Sequence, residues 1–417
     1  MELKSKMDVQ QLETRIPKKQ PNKYVSDLSL NDENVYRITE KLVFPRLVGS
    51  EGEKKAIKII LEEFGKAGFN TIHRDKFKTS FYIWIVLRYM FFPIGICLVL
   101  CALVFFINPW LSLGVILLNF YIAKRALSLA SDCEIRYSKN EKNNFETENI
   151  YSSVESNNSK AKVVFMAHWD TKSQTFPSHI RILIFIISAF GILIMLATFL
   201  ILSIIQLIVP FNSLVLNNIL FSICVVIALI SNFNYFNKTG NKSSGAYDNA
   251  AAVGTIIELA RFYKNNPKDN VDLIFLCTSS EELNLGGAKV FIQKYKNELN
   301  KSSTYFINLD LIGGNEMIRL VTSYGIPRKV SSQKLKDLFF RSAQELKIDI
   351  KDIYVPTGAW SDYMPIVQEG FEACWISSQP GLKCVHTRKD NMNLVSKVGI
   401  KNVLLLCECV VDKINNI

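Results

Sequence analysis

Four histidines in 417 residues are few, and two of them stand where chemistry could be done. His168 is followed by Trp169 and Asp170, and His386 lies in a loop ahead of the last predicted helix. Between them come Asp248-Asn249, the adjacent pair Glu281-Glu282, and Asp310. Each has an ordinary explanation when taken alone. A histidine beside a carboxylate is commonly a satisfied pair, Asp248 could cap a helix by accepting its orphan amides, and two glutamates could sit in a solvated loop. Taken together they are harder to dismiss. Adjacent carboxylates at a strand end repel unless a positive charge lies among them. Hard carboxylates with two imidazoles are a donor set suited to zinc, and less well to manganese or cobalt.

The elements that must position these residues alternate along the chain. Short apolar runs over 162–167 (KVVFMA), 272–278, 304–309, 318–322 and 372–376 predict buried strands. Helical spacing predicts helices over 51–67, 248–263, 287–295 and 331–345, and a terminal helix from Asn393. An earlier helical segment starts at Asp32, with Val35, Ile38, Leu42 and Val43 on one face. Strands alternating with helices of this length predict an α/β sheet covered on both faces. In such sheets ligands gather beyond the carboxyl ends of the strands. His168, Glu281 and Asp310 each follow a predicted strand.

Apolar residues make up 49% of the chain and concentrate in two blocks without Asp, Glu, Lys or Arg, 89–123 and 182–237. A membrane span needs about 20 apolar residues. Breaks near Asn108-Pro109 and near Pro210 divide each block, so two transmembrane helical hairpins with four spans are predicted over 82–127 and 182–237. The first pair is short enough to need tilting or snorkelling of Arg88. Two hairpins return the chain to its starting side, leaving a polar tail over 1–32 and a discontinuous domain of 33–80, 128–181 and 238–417. Residues 1–80 are mostly polar, so neither block reads as a signal peptide.

Lys76, Lys78, Arg88, Lys124, Arg125, Arg181, Lys238 and Lys242 flank the domain side, whereas the hairpin tips carry no Lys or Arg. The positive-inside rule then predicts a multi-pass integral membrane protein with the domain and both termini in the cytoplasm. Nine cysteines without paired spacing agree with a reducing compartment. The net charge of +11 is dispersed among Asp and Glu with no basic strip interleaved with aromatics. That excludes nucleic acid as a partner and fits anionic lipid headgroups of a bilayer. No acid or base lies within the spans to mark a transport path. The sequence carries no signal for an oligomeric state.

The order His168-x-Asp170, Asp248-Asn249, Glu281-Glu282, Asn308-x-Asp310-x-x-Gly313 and a late His386 resembles the co-catalytic di-zinc aminopeptidase family, the type of bacterial leucine aminopeptidase, aminopeptidase Y and glutamate carboxypeptidase. The stretch from Arg46 through Gly49-Ser50 to Glu53, and Ser361-Asp362-Tyr363, resemble it too. The resemblance implies the mixed central sheet of that family and a zinc metallopeptidase, an aminopeptidase, and the apolar hairpin between His168 and Asp248 would turn it toward small or membrane-associated peptides. It further implies two zinc ions, with His168 and Asp310 on one, Glu282 and His386 on the other, and Asp248 bridging. Asp170 would orient the His168 imidazole from behind, and Glu281 would stay unligated as general base. Two metals about 3.5–4 Å apart would acidify a shared water and polarise the scissile carbonyl.

The chain departs from that family in two ways. Relatives usually join the His-x-Asp motif to the bridging Asp by a short loop, whereas here an apolar hairpin intervenes. Some relatives place a tyrosine near the last histidine to stabilise the oxyanion, but Cys384-Val385 precede His386, leaving Tyr363 and Trp360 as candidates. Two other readings on the same fold stay open. One is a glutaminyl-cyclase-like acyl transferase with a single zinc. The other is a non-catalytic receptor or scaffold, a type that loses ligands this chain keeps.

Overall fold

A computed structural model describes residues 29–131, 144–356, 361–378 and 383–417. Most of the expected polar tail and Trp360 lie outside the described residues. The chain divides into two compact units, one of residues 1–78, 145–172 and 241–417, the other of 79–144 and 173–240.

The first unit is built on a mixed nine-stranded sheet. Eight strands follow one another in the order His73–Ser80, Asn144–Val154, Val271–Thr278, Ala161–His168, Thr304–Leu309, Glu372–Ser378, Ile318–Tyr324, Ile350–Val355, and the short strand Lys329–Val330 pairs with Ile318–Tyr324. Ala161–His168 runs parallel to both of its neighbours, with Phe165 opposite Phe275 on one side and Ile307 on the other. Successive side chains of a strand point to opposite faces, and this strand shows it. Val163, Phe165 and Ala167 enter one apolar cluster with the helices Asp32–Leu42, Ala251–Asn265 and Lys397–Asn415. Val164 and Met166 enter another, with Gly286–Tyr295 and Tyr363–Gln368. Burial on both faces is why the strand reads as an unbroken apolar run.

Besides two-residue strands, three strands fall outside the set the apolar runs predict: His73–Ser80, Asn144–Val154 and Ile350–Val355. Two of them end the sheet and the third is next to an end, so they need not be apolar on both faces, and polar residues interrupt each of their sequences (HRDKFKTS, NFETENIYSSV, IKDIYV). The helix expected from Asp248 starts instead at Ala251, after a turn over Ala246–Ala250 in which Asp248 and Asn249 have non-helical backbone.

The second unit is helical, with Tyr82–Tyr89, Phe91–Phe105, Pro109–Ser131, Ser178–Ile208 and Leu214–Asn232. Phe91, Leu98, Phe105, Leu196, Phe199 and Cys224 form its core. Among the described residues three helices are long and apolar enough to cross a membrane: Tyr82–Phe105, Ser178–Ile208 and Leu214–Phe236. Three of the four expected spans thus coincide with such helices. Pro109–Ser131 is a helix of 23 residues, but Asn119, Lys124 and Arg125 interrupt its apolar run.

Phe275 lies between Phe165 and Tyr263 in a stacked aromatic row, with centroids 6.0 and 6.3 Å away. Phe275→Ala should therefore lower stability by about 3–5 kcal/mol, read as a fall in the urea midpoint with an unchanged slope. A loss under about 1 kcal/mol would mean that the row collapses to fill the space.

Candidate metal centre

The parallel strands Ala161–His168, Val271–Thr278 and Thr304–Leu309 end together, with His168 opposite Thr278. The chain continues from these ends into His168-Trp169-Asp170, Glu281-Glu282 and Asp310. Residues without a glycine's freedom take left-handed backbone there, among them Ser280 (φ 61°) before the glutamates, Leu311 (φ 59°) after Asp310, and His386 itself (φ 61°). Such conformations cost about 1–3 kcal/mol each and concentrate at functional sites.

Two groups of donor atoms result, each with its atoms within 4.8 Å of one another: His168, Glu281 and Asp310 in one, and Asp248, Glu282 and His386 in the other. Asp248 connects them. Its Oδ1 is 3.2 Å from Nε2 of His168 and its Oδ2 is 3.2 Å from Nε2 of His386. Nε2 of His168 is also 3.6 Å from Oδ1 of Asp310 and 4.0 Å from Oε2 of Glu281, and Nε2 of His386 is 3.1 Å from Oε1 of Glu282. The structure thus gathers all six residues, and Glu281 stands close enough to the first group to belong to its donors. Asp248 caps no helix, since the N-cap of Ala251–Asn265 is Ala250.

Each acid is held by bonds that sequence reasoning missed or placed elsewhere. The Asp170 carboxylate accepts the backbone N–H groups of Glu281 and Glu282, both at 3.2 Å. It is 3.6 Å from Nδ1 of His168, too long for a hydrogen bond, and the group within reach of Nδ1, at 3.1 Å, is the Asp170 carbonyl. A carbonyl only accepts, so Nδ1 carries a proton, and Nε2 is the ring nitrogen that faces Asp248 and Asp310. Asp390 accepts the N–H groups of Tyr247 (2.7 Å) and Asp248 (3.1 Å). Asn249 donates to the carbonyl of Leu309 at 2.9 Å and accepts from the N–H of Leu311 at 3.3 Å, bracketing Asp310. Ser361 donates to Oδ2 of Asp310. Tyr363, a candidate for the oxyanion, is buried elsewhere, packed on Trp375 in the second apolar cluster.

Arg46 ties these segments together. Its guanidinium is fully buried and donates to five backbone carbonyls, those of Leu42, Phe44, Trp169, Ser244 and Gly245. Burial pulls its pKa down to about 10, opposed by Asp390, Asp248, Asp170 and Glu282, so it stays charged at neutral pH. Gly245 (φ +60°) gives the loop its turn, and a side chain there would run into Thr171 and the Asp248 carbonyl.

The acids have unequal proton affinities. Burial raises Glu281 well above the usual carboxylate range, with Glu282, Asp310 and Asp362 pushing the same way. Burial also opposes ionisation of Glu282, but His386 and Lys172 outweigh it and hold Glu282 at about 2. Burial raises Asp362 and Asp390 to about 7. His168 would be lowered by burial, yet Glu281, Asp170, Asp248 and Asp310 keep it well above its ordinary value.

The donor set fits two zinc ions. Carboxylates and imidazole nitrogens are the ligands zinc takes, Asp248 turns one oxygen to each group, and Oδ1 of Asp310 is buried with no hydrogen-bond partner among the described residues. A buried carboxylate oxygen left so costs free energy unless a cation meets it.

Residues 231–410 match the family model described as Peptidase family M28. Over 164 residues, 37% of the chain, the sequence is 27% identical to Aminopeptidase YwaD of Bacillus subtilis (strain 168), a match spanning about a third (34%) of that protein. Among solved structures the chain is similar to an aminopeptidase from Aneurinibacillus sp. strain AM-1 (TM-score 0.55, 14% identity, 92% of this chain and 94% of that one). It is also similar to a zinc aminopeptidase from Bacillus subtilis (0.52, 12%, 93% and 96%) and to a glutaminyl cyclase from an Acidobacteriales bacterium (0.54, 13%, 96% and 99%). At such identities these structures establish the fold alone.

Replacing Arg46 by Met leaves five buried carbonyls without their donor, each worth about 1–3 kcal/mol when unsatisfied. Arg46→Met should purify with less than half the zinc of the unaltered protein and a lower thermal midpoint, and Arg46→Lys, with the charge but fewer donors, should fall between. Full zinc content in Arg46→Met, measured by atomic absorption, would remove Arg46 from this role.

Proposed function

We propose that this chain, an M28-type metallopeptidase, is a two-zinc aminopeptidase anchored in a membrane. The placement of Asp248 carries the reading, since one carboxylate reaches both histidines at 3.2 Å and so spans the two donor groups. His168 and Asp310 would hold one zinc, Glu282 and His386 the other, with Asp248 shared. When bound, the pair supplies Lewis acidity at the scissile carbonyl and a water acidic enough to ionise near neutral pH.

The chain's own residues do the rest. Oε2 of Glu281 takes the proton of the attacking water and delivers it to the departing amine. Adjacent groups whose environments drive their proton affinities apart divide acid–base work from charge stabilisation. Glu281, raised by burial, suits the first task, and Glu282, held at about 2, suits the second. Asp170 fixes the pair by accepting both of their N–H groups, so that one glutamate ligates while its neighbour stays available. The preference for a free amino terminus rests on the relatives, three of which are named as aminopeptidases.

Three helices of membrane-spanning length and composition support the anchor. So do Leu193, Ile194, Ile201, Leu214, Val215 and Leu229, each more than half exposed, on a scale that soluble surfaces rarely carry. Lys and Arg flanking the apolar blocks favour a cytoplasmic catalytic unit, which puts small cytoplasmic or membrane-associated peptides within its range.

Glu281→Gln should retain two zinc ions per chain while kcat falls about 10²–10⁴-fold. Loss of zinc in that variant would move Glu281 into the ligand set. The purified protein should cleave aminoacyl substrates with a free amino terminus and leave N-acetylated ones intact. Release of ammonia from amino-terminal glutamine, with no amino acid released from any substrate, would turn the assignment to an acyl transferase. In cell fractions the chain should stay with the membrane pellet through an alkaline carbonate wash, and release by the wash would remove the anchor.

A further inference from the structure

The two donor groups differ in one respect that the two-zinc reading leaves unexplained. Lys172 stands four residues after His168 with its side chain only 7% exposed, and its Nζ is 2.6 Å from Oε2 of Glu282. Its backbone N–H points at the other oxygen, Oε1, at 3.3 Å, and that oxygen faces Nε2 of His386 at 3.1 Å. Glu282 is thus held at one oxygen by an ammonium and offers the other to the group it shares with Asp248 and His386. In the first group neither Glu281 nor Asp310 pairs with a Lys or Arg among the described residues. So deep a lysine is out of reach of a substrate's distant parts, and burying an ammonium is costly unless it is paired.

We infer that Lys172 is a positioning residue that makes Glu282 a one-oxygen ligand and places a fixed positive charge beside the metal position of Asp248, Glu282 and His386. The inference rests on the reading of those three residues as zinc ligands. Two consequences follow from the charge and the geometry. A cation at that position is repelled by the ammonium, an interaction that is strong where water is scarce, so the position binds its metal more weakly than its donors alone would. With one carboxylate oxygen withheld, the metal there keeps a coordination place open, the condition that distinguishes catalytic from closed structural sites.

The test compares Lys172→Met, which removes charge and hydrogen bond, with Lys172→Gln, which removes the charge but can still donate to Oε2. The full-length protein in detergent is stripped and reloaded with Co²⁺ or Zn²⁺. Affinities come from competition with a chromophoric chelator, and coordination number from the visible absorption of the Co²⁺ form. The second metal should bind at least tenfold more tightly in both variants. The Co²⁺ bands should weaken in Lys172→Met, as the freed oxygen adds a ligand, and stay near those of the unaltered protein in Lys172→Gln.

Unchanged or weaker second-metal affinity in both variants overturns the inference. Should Lys172→Met fail to fold, the affinity in Lys172→Gln decides by the same criterion. An unaltered protein that binds no second metal would instead remove the two-zinc reading itself, an outcome visible before either variant is made.

Discussion

Like charges forced together and buried are the constraint on which the rest of this structure depends. Asp170, Asp248, Glu282 and Asp310 are each less than a tenth exposed and converge on two imidazoles. Two such charges about 5 Å apart repel by about 3 kcal/mol at an effective dielectric constant near 20, whereas a single hydrogen bond contributes about 1 kcal/mol net. One bond per carboxylate is therefore too little to hold the cluster. The fold supplies several: two backbone amides to Asp170, two more to Asp390, a bracket of two bonds from Asn249 around Asp310, and five carbonyls gathered by Arg46.

That scaffold is stiff because the sheet beneath it is. The strand ends that launch His168, the glutamates and Asp310 belong to parallel neighbours in unbroken register, and apolar clusters cover both faces. The neighbouring strand Asn144–Val154 adds a direct brace. Oδ1 of Asn149 accepts the N–H of Ser279 at 3.1 Å and its amide donates to the carbonyl of Gly287 at 2.8 Å, on either side of the glutamate pair. Thr147 meets both Glu53 and Ser279 at 2.6 Å, linking the helix Glu51–Lys66 to the same loop.

What could be read from the sequence, and what could not, follows from range. Buried parallel strands announce themselves because both faces must be apolar, so KVVFMA and LIFLCT were legible and with them the sheet end where acids and histidines collect. The strand of Asn149 was hidden because NFETENIYSSV must satisfy a site on one side and a rim on the other. The Asp170 carboxylate reaches N–H groups more than a hundred positions away, and Arg46 reaches carbonyls at 169 and 244–245. No local spacing reports such contacts. Lys172 carried a weak signal in hindsight: a lysine so close to a candidate ligand is either solvated or paired with an acid from another segment, and only the fold brings Glu282 to it. The fourth apolar segment is the least apolar of the set, since Asn119 and the Lys124-Arg125 pair break its run.

The M28 match covers only part of the sheet. The match begins at residue 231 and so leaves out Ala161–His168, although that strand lies between Val271–Thr278 and Thr304–Leu309, both inside the match, and is hydrogen-bonded to each along its length. Without it the two matched strands would lose their common neighbour and His168 would be absent from the first donor group. The matched part therefore implies the unmatched one on physical grounds. Residues 173–240 lie between Ala161–His168 and Val271–Thr278 in the chain, and the match begins inside that stretch. Both ends of that stretch, at Lys172 and Asn241, lie outside the strands of the nine-stranded sheet, so its length disturbs none of that sheet's ladder bonds, and Arg46 binds the flanking carbonyls of Trp169 and Ser244.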